Sequence, residues 1–174
     1  MEILLEVSKY ILPAVIVLLA TIFIIKKFFD NDQKQRKFEQ MVENQRITTP
    51  IKLQAYERII LFLERISPES IIMRVNKPGI NVKTLHEFLL ETIRAEYEHN
   101  LSQQMYVSSK AWEMVKNAKG NLIQMINSVA DNLEDKSPSI NLSQAILQKV
   151  IEMKKSPVYD AIEYLKGEVQ EIIK

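Results

Sequence analysis

The residues best placed to do chemistry in this 174-residue sequence are Glu96 and His99. At i and i+3 a carboxylate and an imidazole share one helix face, the spacing with which helical bundles hold di-iron centres. Such a centre also needs a second Glu-x-x-His pair and two further glutamates. The only other histidine, His86, has Lys83 three positions before it rather than a glutamate. The separation of 13 positions from His86 to His99 turns a helix by about 220° at ~100° per residue, so the two rings point apart. A solvated, charged helix end is the ordinary explanation of Glu96, Glu98 and His99. A metal-dependent protein built on Glu96 and His99 is the least supported reading.

Other chemistries lack their parts. There is no cysteine, no G-x-S-x-G, and no serine near a histidine in a recognisable turn. Glycines stand only at 79, 120 and 167, so neither a P-loop nor a dinucleotide fingerprint can be written. Glu57 and Glu64 are flanked by Arg58 and Arg65, which makes ion pairing their expected use. The expectation is a protein without catalytic activity, cofactor or metal.

If no reaction is written here, the elements that place the chain in space carry more information. The organising stretch is Tyr10–Phe29, YILPAVIVLLATIFIIKKFF. Its 16 uncharged residues, Tyr10–Ile25, cover about 24 Å of a hydrocarbon core of about 30 Å, and counting through Phe29 gives 20 residues, or about 30 Å. Lys26 and Lys27 can snorkel to the headgroups. The reading is one N-terminal transmembrane helix, with Lys9, Tyr10, Lys26, Lys27, Phe28 and Phe29 as interface anchors. A cleaved signal peptide fits poorly, because the segment before the apolar run carries Glu2 and Glu6. Basic residues follow the run at Lys26, Lys27, Lys34, Arg36 and Lys37, while Lys9 alone precedes it. Positive-inside bias then puts the N-terminus outside and the C-terminal domain in the cytoplasm.

Charge limits the partners of the remainder. The first 27 residues hold three of the 23 Lys+Arg and two of the 22 Asp+Glu, which leaves 20 of each and no net charge over residues 28–174. A balanced domain without a basic run is a poor nucleic-acid binder, so none is expected.

Three segments follow: an anchor over 1–29, a polar juxtamembrane linker or helix over 30–46, and a cytoplasmic helical domain over 47–174. In the linker Phe38, Met41 and Val42 fall at i, i+3 and i+4, a narrow apolar stripe. In the domain, proline marks helix starts: Thr49-Pro50, Ser67-Pro68, Ser137-Pro138 and Ser156-Pro157 each place a hydroxyl before Pro. The spacing predicts helices over 50–66, 68–75, 81–100, 108–133 (bent at Gly120) and 142–153, and another from Ser156 onward. IILFL, residues 59–63, is apolar nearly all round and reads as central, buried in the domain or in an interface. Trp112 is expected in the core. No run alternates with period two, so no sheet is expected. The fold class is all-α, a compact bundle or orthogonal array of about five helices behind the anchor.

Asn100, Ser102, Gln103 and Gln104 form a polar cluster beside Tyr106. Capping of helix ends is its ordinary role, and a recognition surface its functional one. The stretches TPIKLQAYERIILFLERISPESII and IRAEYEHNLSQQMYVSSKAW, within residues 48–116, resemble an uncharacterised family of small bacterial proteins. That resemblance implies one N-terminal membrane span, a cytoplasmic helical domain, a setting in the bacterial inner membrane, and no known activity. The functional expectation is a membrane-anchored interaction or scaffold protein. It would meet the lipid bilayer through residues 10–29 and a protein partner or a second copy through Phe38, Met41, Val42, Gln103, Gln104 and Tyr106. The alternative is an accessory subunit of a larger membrane complex.

Overall fold

A computed structural model describes residues 1–153 and 156–173, with the side chains of residues 2–14 outside the description. Among the described residues there are six α-helices and one 3-10 helix: α1 (Glu2–Ile66), α2 (Pro68–Val75), α3 (Val82–His99), η1 (Leu101–Met105), α4 (Ser109–Ala130), α5 (Ser139–Glu152) and α6 (Pro157–Ile173). No strand occurs among them beyond one isolated bridge, Asn81 to Pro138. The chain divides into two compact units, residues 1–48 and 49–174.

The transmembrane anchor expected over 10–29 is overturned. Among the described residues no helix is long and apolar enough to cross a membrane. The physical reason is the charge that closes the run. The uncharged run with described side chains, Val15–Ile25, has 11 residues and covers about 16 Å, roughly half a hydrocarbon core. Lys26, Lys27, Asp30 and Asp32 follow it at once. Lys9, Tyr10 and the rest of the run before Val15 lie outside the described side chains.

A second correction concerns Pro50. The Thr-Pro pair does not start a helix, because α1 runs unbroken through it. Pro50 costs one backbone bond and crowds the preceding turn, and the helices's flanking turns hold regardless; Thr48 Oγ1 donates to Asn44 O at 2.9 Å.

The remaining helix starts follow from the sequence. Asn81 caps α3 by accepting the Thr84 amide at 2.9 Å, and Ser108 caps α4 by accepting that of Ala111 at 2.9 Å. Ser67 occupies the cap position of α2 with Pro68 at N1, but its side chain makes no cap bond. Helix α5 begins at Ser139 rather than near Leu142, with Pro138 in the cap position. Two loops pairing here set that start. Val82 N donates to Ser137 O at 2.9 Å, Lys83 N to Asp135 O at 3.2 Å, and Ser139 N to Ile80 O at 3.2 Å. Helix α4 stops at Ala130, not Leu133, and passes Gly120 as continuous helix.

In the second unit α4 packs on α6, α3 and α5, while α2 packs on α3 and α5. The stripes anticipated for α3 and α4 supply its core: Val82, Leu85, Leu89 and Ile93 face Trp112, Val115, Leu122 and Ile126 as part of one buried cluster. Trp112 stacks on Tyr97 at 5.6 Å between ring centres, and Tyr97 meets Phe62 at 6.0 Å. The IILFL segment is not buried all round. Ile59, Phe62 and Leu63 are buried, Ile60 is half-buried, and Leu61 is 53% exposed. Polar Glu57, Arg58, Glu64 and Arg65 share that outer side, so one face suffices.

Candidate functional site

The Glu96 carboxylate is already engaged. Its Oε1 accepts Arg65 Nη2 at 2.7 Å and Arg74 Nη2 at 3.0 Å, so one acid joins α1, α2 and α3. His99 is exposed at the last turn of α3 and lines, with Arg65, Glu91, Thr92 and Glu96, an open groove of about 530 Å³. His86 lies elsewhere, its Nε2 2.8 Å from Asn127 Oδ1 on α4. Among the described residues no group of three or more His, Asp or Glu could hold a metal ion.

In the polar cluster after α3, Asn100 is the member whose side chain caps a helix end. Asn100 is buried and donates to Glu96 O at 2.9 Å. Gln103 donates to Ser102 Oγ at 3.3 Å and is half-buried, while Gln104 is exposed. All belong to η1 or its edge, a tight turn that sequence spacing had not distinguished from a loop. Tyr106 is 42% exposed. It opens onto a groove of about 430 Å³ whose wall includes Lys52, Met105, Glu168 and Glu171.

Part of that groove's wall is a network no sequence spacing announced. Glu168 on α6 accepts Tyr56 OH from α1 at 2.6 Å and Ser108 Oγ from the start of α4 at 2.7 Å. The Ser108 amide in turn donates to Tyr56 OH at 3.3 Å. Burial raises the Tyr56 hydroxyl to about 12, with the Glu168 carboxylate adding to the shift. Burial pushes Glu168 upward, but donation from Tyr56, Ser108 and Tyr164 outweighs it, and the carboxyl ends below its ordinary value. Tyr164 is raised, first by the same carboxylate. A carboxylate held ionised by hydroxyls is a poor general acid and a poor base. What the arrangement does chemically is tie three helices.

Phe38, Met41 and Val42 lie in the first unit, on α1, and are 65%, 57% and 47% exposed. Gln103, Gln104 and Tyr106 belong to the second unit, so the six residues are divided between the units.

With helices throughout and interior polar atoms satisfied by one another, the described fold is that of an all-helical protein. The chain belongs to a family of unknown function (DUF7935), which it matches over residues 2–172. No curated protein and no solved structure matches it.

Proposed function

We propose that this protein is a non-catalytic helical interaction module, in which the second unit is a stable body and α1 presents the binding surface. The observation that carries the reading is the Phe38–Met41–Val42 stripe: three large apolar side chains on adjacent turns of one helix, each about half exposed or more. Large apolar side chains grouped on one face mark interaction sites more often than isolated ones do. The inward-facing polar groups support the same reading, since Glu96 and Glu168 are committed to arginine and hydroxyl partners rather than free to react.

The partner is a protein that offers an apolar helix face, taken up at i, i+3 and i+4 positions. Benzoylphenylalanine placed at Phe38 or Met41 of the full chain, followed by irradiation in cells, tests this. A crosslinked product of discrete mass at these positions, and none at exposed Gln144 on α5, is the expected outcome. Irradiation that yields only uncrosslinked monomer at both sites would sink the reading.

A further inference from the structure

A different stretch of α1 poses a separate question, independent of any partner at Phe38. Val15, Ile16, Val17 and Leu18 are 46%, 58%, 64% and 58% exposed, and at about 100° per residue four successive side chains point round the whole circumference of a helix. Leu19, Ile22, Phe23, Ile24, Ile25, Phe28 and Phe29 are exposed as well. A protein surface covers one side of such a helix. Covering every side takes either several helices at once or a fluid apolar medium, and the charge that follows the run favours lipid.

We infer that Val15–Phe29 of α1 is immersed in the acyl region of a single lipid leaflet, with Lys26 and Lys27 at anionic headgroups. This is contact with one leaflet and not a crossing. A helix is about 10–12 Å thick, which fits the ~15 Å that half of a ~30 Å hydrocarbon core provides. The one polar side chain in Val15–Ile25, Thr21, donates its hydroxyl to Val17 O at 2.8 Å and so brings no unpaired donor into the lipid. Charge at the end of the run is complementary to acidic lipid. From Lys26 to Lys37 there are five basic residues (Lys26, Lys27, Lys34, Arg36, Lys37) and two acidic ones (Asp30, Asp32), five minus two leaving a net charge of +3. The Lys27 ammonium lies 5.6 Å from the centre of the Phe23 ring, a cation–π contact at the end of the apolar run. Phe28 and Phe29 meet edge to face at 6.3 Å beside it, at the level where aromatic rings mark a lipid–water boundary.

Because the chain has no cysteine, a single introduced thiol reports one position. Full-length L18C, F23C and M41C chains, each labelled with the fluorophore NBD, are mixed with phosphatidylcholine vesicles with or without phosphatidylglycerol. The expected result is a blue-shifted emission, quenched by spin-labelled acyl chains, at Leu18 and Phe23, with no change at Met41. Removing both charges (Lys26→Gln with Lys27→Gln) should weaken binding to the phosphatidylglycerol vesicles roughly 25-fold, about fivefold for each lysine. No shift with either vesicle would overturn the inference. So would a shift already complete without lipid, which means that copies of the chain cover the segment. Quenching of the L18C label from the far leaflet alone would overturn the single-leaflet placement. Each outcome is read apart from crosslinking at Phe38, so failure of one leaves the other standing.

Discussion

Helix α1 belongs to both compact units and behaves differently in each. Between Val15 and Thr48 its large apolar side chains are exposed, whereas between Thr49 and Ile66 they alternate between core and solvent with the helical period. The backbone hydrogen bonding is the same in both stretches. What separates them is the order of residues: an all-round apolar run and then a narrow stripe in the first, a one-sided pattern in the second. Helical geometry alone therefore says nothing about what a helix buries. Amphipathic patterning does, and it is clearest where the stripe is as wide as one neighbour's surface.

That contrast gives its largest expected effect with core truncation. Phe62→Ala in the second unit should cost about 3–5 kcal/mol, while Phe38→Ala in the first should stay within about 0.5 kcal/mol, both read from urea unfolding midpoints. Comparable losses at the two sites would erase the distinction between the units.

Next comes the hydroxyl–carboxylate tie. Tyr56→Phe removes one donor from Glu168 and should cost about 1–3 kcal/mol at neutral pH. Glu168 titrates below its ordinary value in the folded chain, so its contribution is complete above the unfolded carboxyl pKa and is lost as pH falls through the lowered folded value. Urea midpoints taken from neutral to strongly acid pH should fall less steeply for Glu168→Gln than for the natural chain. At the alkaline end the sign reverses. Tyr56 is raised from 10.0 to about 12, so its contribution holds below 10.0 and fades as pH climbs through that interval. Equal slopes in the natural and Glu168→Gln chains would dissolve the tie as an energetic element.

Ser108→Ala sharpens the comparison at smaller scale. It deletes both a cap for α4 and a donor to Glu168, and should cost about 1–2 kcal/mol, seen as a lower thermal midpoint. Arg74→Met breaks one of two bonds to Glu96 near the surface and should cost about 0.2–1 kcal/mol, the smallest of these effects.

The sequence was readable where signals were local. Asn81 and Ser108 announce their helices because a cap is settled within three residues, and the stripes of α3 and α4 reach the core as their spacing implies. Trp112 is buried as its apolar face required. Pro50 misled because one proline can be carried inside a long helix whose other turns hold. Ser137-Pro138 marked the start of α5 to within a residue, and it was the later bound near Leu142 that missed, since pairing of Ser139 with Ile80 fixes where α5 begins. The transmembrane reading failed because it counted past Lys26 and Lys27, whose charge ends the apolar run short of a hydrocarbon core. Of the candidate site, Tyr106 and the glutamines could be picked out as a cluster. The Tyr56–Ser108–Glu168 network could not, because its members lie far apart in sequence and only packing unites them.

The pairing of the two loops at Asn81 and Pro138 has a dynamic consequence. The first amides of a helix ordinarily face water and exchange their hydrogens quickly. In α3 the Val82 and Lys83 amides are covered by carbonyls of the other loop, so α3 cannot fray from that end until residues 135–137 let go. Slow hydrogen exchange at those two amides would therefore act as a clock for the opening of a loop that is distant in the chain.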